Sequence, residues 1–185
     1  MLKGLKRLLH LHGIHVRFNW FLVNKVYSGT KSKHFEKKRR LLNAIGHDIG
    51  EGTKIVGPIQ CYEKLTIGKN CWIGKNLIVN GNGSVVIGDN CDIAPEVTFL
   101  TGGHEIGDCE RRAGKDVCYH IVVGNGVWVG ARSTILGNIK IEDGALIAAC
   151  ACVNKDVRAN TLVGGVPARV IRELENGEAK TNIKQ

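Results

Sequence analysis

The chain has 185 residues, is 43% apolar but only 5% aromatic, and carries 24 glycines and a net charge of +9. That length suits one domain with appendages. No run approaches the ~18 apolar residues of a membrane-spanning helix, and the histidine-interrupted start, without a small-residue cleavage site, does not read as a signal peptide. Seven cysteines without regular spacing argue against a disulfide framework and for a reducing cytosol.

The charge is uneven. Residues 1–45 hold eleven Lys/Arg against Glu36 alone, while residues 46–185 hold fifteen against sixteen acidic residues. The basicity therefore belongs to an N-terminal arm, residues 1–46. Leu2, Leu5, Leu8 and Leu9 fall near helical spacing, and the run Lys37-Lys38-Arg39-Arg40 leads into Leu41-Leu42 with Gly46 as a stop signal. The arm is expected to be partly helical. It reads either as a solvated cap on the body or as a contact for anionic membrane lipid or glycan. No aromatic-interleaved basic pattern points to nucleic acid.

From residue 49 a strict six-residue beat sets in. Ile49, Ile55, Cys61, Ile67, Ile73 and Val79 are followed, after a two-residue insertion, by Ile87, Ile93 and Phe99. Val123, Val129, Ile135, Ile141, Ile147 and Val153 resume the beat after a longer gap. A period of six fits neither a helix nor a long strand; it is the hexapeptide signature of a parallel β-helix. Each aliphatic residue is expected to point inward, with the next residue, often glycine, in a turn that uses its conformational freedom. Three hexads make one coil, so the fifteen hexads predict about five coils over residues 47–166. Val123 should stack under Ile141, Val129 under Ile147 and Ile135 under Val153. Cys71, Cys91, Val97, Ser133, Ala145 and Ala151, four residues past an aliphatic position, are expected to be small inward or corner residues.

Between Phe99 and Val123 the in-phase positions Glu105 and Arg111 are charged, so this segment cannot continue the coil. It is expected to be an extruded loop, about residues 101–120, returning in register. Loops on rigid scaffolds are favoured places for chemistry. After Val153 the beat fades through Gly164-Gly165-Val166-Pro167. Residues 167–185 are expected to form a short C-terminal helix and a tail.

The hexads, the histidine in Phe99-Leu100-Thr101-Gly102-Gly103-His104, the stretch Val127-Trp128-Val129-Gly130 and the ending Gly164-Gly165-Val166-Pro167-Ala168-Arg169-Val170-Ile171-Arg172 together resemble the hexapeptide-repeat acyltransferases. The similar branch is that of the maltose, galactoside and nodulation-factor O-acetyltransferases and their polysaccharide-modifying relatives. The resemblance covers about residues 37–173. It implies a mainly β fold with a left-handed parallel β-helix. It also implies a homotrimer with acetyl-CoA as co-substrate in the groove between neighbouring prisms. By the same resemblance His104 is the catalytic base. Trp128, Ala131, Ala149, Asn154, Lys155, Arg169 and Arg172 are cofactor-binding, Asn76 meets the sugar, and Asn80 or Asn82 stands near an acceptor-binding acid of the family. No metal is implied. Ala148-Ala149-Cys150-Ala151 departs from the Gly-Ala-Gly-Ser common in the family.

The residue chemistry agrees with a histidine base. Acetyl transfer to a hydroxyl needs a proton acceptor, a held thioester and oxyanion stabilisation, and histidine titrates near neutrality. A direct attack in a ternary complex then needs no nucleophilic side chain. Glu105 and Asp108 are the nearest acids in sequence to orient the imidazole, but adjacent residues rarely face each other. His104, Cys109, Cys118 and His120 have ligand chemistry without a recognised zinc spacing; His47 and His120 read as structural.

The function expected is O-acetylation of a saccharide or surface-polysaccharide precursor. The acceptor is a small-molecule or lipid-linked saccharide, and the location is cytoplasmic, at the inner face of the membrane if the basic arm makes peripheral contact. Serine acetyltransferase and amino-sugar or xenobiotic acetyltransferase are alternatives; a carbonic-anhydrase-type zinc lyase and a non-catalytic β-helix binding protein are weaker ones.

Overall fold

The inward aliphatic of each hexad sets the architecture, and the computed structural model, which describes residues 13–175, is a three-sided parallel β-helix. Coil one comprises β1 (Asp48–Ile49), β2 (Lys54–Ile55) and β3 (Ile59–Cys61). Coil two has β4 (Leu65–Ile67), β5 (Trp72–Ile73) and β6 (Leu77–Asn80). Coil three has β7 (Ser84–Ile87), β8 (Asp92–Ile93) and β9 (Thr98–Leu100). A hairpin, β10 (Gly102–Ile106) and β11 (Ala113–Cys118), then leaves the prism. Coil four resumes with β12 (His120–Val123), β13 (Trp128–Val129) and β14 (Thr134–Leu136), and coil five has β15 (Ile139–Ile141), β16 (Leu146–Ile147) and β17 (Cys152–Val153). The sixth begins at Val157, bridged to Ile141, and adds β18 (Thr161–Gly165).

The three faces are the stacks β1-β4-β7-β12-β15 (face one), β2-β5-β8-β13-β16-β18 (face two) and β3-β6-β9-β14-β17 (face three). All fifteen hexad positions are buried. Val123 pairs with Ile141, Val129 with Ile147 and Ile135 with Val153, as the period predicts. Cys71, Cys91, Val97, Ser133, Ala145 and Ala151 are all buried, the small fillers that a narrow prism needs.

The glycines do a different job from the one expected. Gly68, Gly74, Gly88, Gly124 and Gly130, just past the aliphatic positions, are not in the left-handed region; Asn70, Asn76, Asn90, Gly126 and Arg132, two residues further on, are. Asparagine tolerates that conformation better than most side chains. The glycines are needed because the next coil passes too close. A Cβ on Gly130 would stand 2.5 Å from Ala149 N, and one on Gly74 2.5 Å from Pro95 N.

Register also explains the two interruptions. Val79 pairs with Phe99, two residues beyond a regular coil, so the insertion lies at the turn after β6. Ile87 pairs with Val123 and Phe99 with Ile135, each pair 36 residues apart. The hairpin thus takes up one whole coil's worth of chain, which is why the beat returns in phase. Its base is clamped into the prism edge. The Thr101 side chain is buried, and both its N–H (2.8 Å) and its hydroxyl (3.3 Å) donate to Asn80 O. Tyr119 N–H donates to Thr101 O at 2.8 Å and Ser84 N–H to Tyr119 O at 3.1 Å. Gly83, in the inserted turn, makes room: a Cβ there would come within 2.7 Å of Thr101 O.

The prism ends are closed by the appendages. Helix α1 (residues 13–21) continues as a π-type turn, Leu22–Val26, and α2 spans Ser32–Asn43. They cover the first coil and stand in for its missing neighbour. The Asn43 amide bonds both backbone groups of Ile49 (3.0 and 2.8 Å), and the Asn24 amide does the same for Ile59 (2.8 and 3.0 Å). This blunts exposed strand edges that would otherwise template association. Leu42 and Val23 join the core. The basic run is not wholly solvated: Lys38 is fully buried and donates to Gly29 O and Val56 O, both at 2.9 Å, while Arg39 and Arg40 share Glu36. Leu2, Leu5, Leu8 and Leu9 lie outside the described residues.

At the other end the expected C-terminal helix does not form over the described residues. Ala168–Glu173 is a strand, β19, folded back antiparallel on β18 with Gly165 opposite Ala168 and Thr161 opposite Glu173. The open edge of β18 needs a partner, and β-branched Val170 and Ile171 suit a strand. Residues 176–185 lie outside the described residues.

Two outcomes follow. Gly83→Ala forces backbone apart at the hairpin base and should lower Tm by roughly 3–10 °C in a thermal melt; an unchanged Tm contradicts the clamp. Burial lowers the Lys38 pKa from 10.5 to about 8. The folded state therefore sheds that proton before the unfolded chain does, and stability rises with pH between those values. Lys38→Met should be destabilised by about 1–3 kcal/mol, and its deficit relative to the parent chain should widen across that window in denaturant titrations.

Candidate active site

The hairpin register builds the site. Gly102 lies opposite Cys118, Gly103 opposite Val117 and His104 opposite Asp116. Cross-strand neighbours on one face meet directly. His104 Nδ1 stands 3.0 Å from Asp116 Oδ1 and 3.1 Å from Gly114 O. Both partners accept hydrogen bonds, so Nδ1 carries the proton and Nε2 presents its lone pair. The His104 side chain is 46% exposed, open to an incoming molecule. Gly103 leaves room for Tyr119, whose hydroxyl would lie 2.8 Å from a Cβ there.

Asp116 is the residue that sequence reasoning misses. A regular hairpin closed at Gly107 and Arg112 would set Lys115 opposite His104; the register shift between His104 and Ile106 brings Asp116 there instead. Neither acid nearest in sequence takes this role. Asp108 Oδ1 accepts from Glu110 N and Arg111 N, both at 3.0 Å, and so holds the hairpin turn. Glu105, next to His104 along β10, falls at the register shift between His104 and Ile106.

Asn80 and Asn82 join His104 in one open cleft of about 430 Å³, with Tyr62, Glu63 and Asp116. Asn76 does not. It sits at the corner between faces two and three, in a neighbouring cleft of about 560 Å³ with Asn24, Lys25, Gln60 and Glu96. The two clefts are linked by Gln60, whose Nε2 donates to the Tyr62 hydroxyl at 3.0 Å. At the same corner Glu96 bonds Arg132 at 2.7 Å, which holds its carboxyl below the usual carboxylate range.

The remaining predicted residues lie elsewhere on the prism. Trp128 is half-exposed on face two, between Asp92 and Leu146 in register. Ala131 and Ala149 stack at the corner between faces two and three, where Cys150 N–H donates to Ala131 O at 2.9 Å. Cys150 holds a left-handed φ of 60°, a conformation glycine adopts at less cost. Asn154, Lys155 and Arg169 line a small cleft of about 160 Å³, and Arg172 lies on β19. The hairpin leaves the edge between faces three and one, opposite face two, so one chain keeps His104 and Trp128 on opposite sides of the prism.

His47 and His120 make contacts within the scaffold. His47 Nδ1 accepts Leu65 N–H at 3.1 Å, the ring stacks edge-on with Trp20, and burial pushes its pKa down. His120 Nδ1 pairs with the Ser84 hydroxyl at 2.8 Å. Among the described residues no three His, Cys, Asp or Glu side chains gather as a metal site.

Known proteins match this architecture. Residues 120–155 match the family described as bacterial transferase hexapeptide (six repeats), and residues 64–94 the hexapeptide repeat of succinyl-transferase. The galactoside O-acetyltransferase of Escherichia coli (strain K12) is 34% identical over 143 residues, which is 76% of this chain and 70% of that protein. A hexapeptide-repeat acetyltransferase of Vibrio cholerae, solved with acetyl coenzyme A, superposes with a TM-score of 0.74 at 26% identity, over 90% of this chain and 89% of that one. A galactoside acetyltransferase solved with coenzyme A gives a TM-score of 0.68 at 27% identity, over 90% and 82%. Repeat, register and sequence identity over the shared length agree: the chain belongs to the hexapeptide-repeat acetyltransferase family.

Proposed function

We propose that this acetyltransferase moves the acetyl group of acetyl-CoA to a hydroxyl of a saccharide or surface-polysaccharide precursor, with His104 as general base. The observation that carries the reading is the tethered imidazole, with Nδ1 beside Asp116 and Gly114 O and the ring lining the cleft. The thioester supplies an activated acyl group. His104 Nε2 takes the acceptor's proton as its oxygen attacks the acyl carbon, and returns a proton to the departing sulfur. Asp116 keeps the tautomer and steadies the imidazolium that forms between the two steps. Asn80, Asn82 and Tyr62 line the same cleft and offer amide hydrogen bonds and a flat ring, the usual means of holding a sugar hydroxyl in place.

The residues assigned to acetyl-CoA fit its chemistry. Trp128 offers a flat apolar surface, the stacked alanines at 131 and 149 leave the backbone approachable, and Lys155 and Arg169 are cations around one cleft, suited to phosphates. Because Trp128 faces away from its own His104, a complete site takes these groups from two chains. A homotrimer with heterologous contacts meets that requirement. A coenzyme-A substrate also goes with a cytoplasmic location. Among the described residues no helix is long and apolar enough to cross a membrane.

The test is coenzyme A release over a panel of saccharide acceptors. His104→Ala should lose about 10²–10⁴-fold in kcat, and Asp116→Asn about 10–100-fold with little change in acetyl-CoA KM. Undiminished turnover in His104→Ala sinks the base; an unaffected Asp116→Asn removes the orienting role.

A further inference from the structure

The first helix is apolar on both of its sides. At 100° per residue, positions 14, 18 and 21 share one face, and positions 16, 19, 20 and 23 the opposite one. The inner face is docked. Asn19 is buried and donates to Leu41 O at 3.1 Å, Trp20 meets His47 edge-on at 5.4 Å between ring centroids, and Val23 is fully buried. Among the described residues nothing covers the outer face: Ile14, Phe18 and Phe21 are 52%, 56% and 54% exposed. Three large apolar side chains at i, i+4 and i+7 form a stripe, unlike the scattered exposed residues of an ordinary surface.

Charge indicates what covers it. Arg17 and Lys25 are exposed beside the stripe. The residues ahead of it, MLKGLKRLLHLH, alternate leucine with Lys3, Lys6 and Arg7. Nearly all of the excess positive charge lies in residues 1–45, while the body is close to neutral. An apolar stripe set in basic residues fits the interface of an anionic bilayer, where the rings enter the acyl boundary and the cations meet headgroup phosphates. The contacts that hold this helix and its π-type turn to the prism are with the first coil and the chain leading into it: Trp20 with His47, and Asn24 with Ile59. Phe18 and Phe21 line none of the clefts described above.

We propose that the outer face of this helix docks the protein on an anionic lipid surface, independently of the reaction at His104. The test is flotation of the full chain with phosphatidylcholine vesicles prepared with and without phosphatidylglycerol. The chain should float with the anionic vesicles only, less so as salt rises. Phe18→Ser/Phe21→Ser and, separately, Arg17→Glu should each reduce bound protein by about tenfold or more. Circular dichroism melts and coenzyme A release in solution should be unchanged, since these side chains are solvent-facing. Absence of flotation with phosphatidylglycerol, or undiminished flotation of the double variant, overturns the proposal. So does a fall in oligomeric mass of the double variant by light scattering, which would assign the stripe to a second copy of this chain.

Discussion

Backbone hydrogen bonds between residues one coil apart hold this molecule together, and they tolerate no change of phase. Each inward aliphatic sits on the equivalent residue of the next coil, so a slip of one residue would turn a whole face inside out. Insertions are therefore admitted only where the chain can leave the prism and return to the same register. The two-residue insertion in the turn at residues 80–83 and the hairpin that takes up a full coil's worth of chain both meet this condition. They are also in contact with each other: the first makes space for the base of the second.

That contact carries rigidity from scaffold to site. Thr101 and Tyr119 are tied to Asn80 and Ser84, so the two strands of the hairpin leave the edge at a fixed spacing and bring His104 opposite Asp116. A loop without that clamp would leave the imidazole free to rotate, and the tautomer undefined. The prism supplies position, the hairpin supplies the His104–Asp116 pair, and neither depends on deep burial of a charged group.

The repeat, the inward residues and the stacking partners were legible from the sequence because a period of six has one structural solution. The loop that carries His104 was legible because it interrupts that period. Asp116 was not, since its proximity comes from hairpin pairing rather than from spacing. The role of Gly68, Gly74, Gly88, Gly124 and Gly130 was misread, because close approach between coils is a property of the stack, invisible in a single hexad. Lys38 looked like one member of a solvated run; only the docked helix shows its ammonium bonded to two carbonyls. The strand at Ala168–Glu173 followed from the open edge of β18, a need that its own residues do not announce.

The central claim is that the working site is shared, with His104 of one chain meeting the Trp128 side of another. Subunit mixing tests it most directly. His104→Ala and Trp128→Ala, each with little activity alone, are dissociated together and reassembled, and coenzyme A release is followed. Random trimers would place an intact His104 beside an intact Trp128 at about a quarter of the sites, so activity should return toward that fraction of the parent protein's. Mixed assemblies that form but stay as inactive as either variant alone would contradict the account.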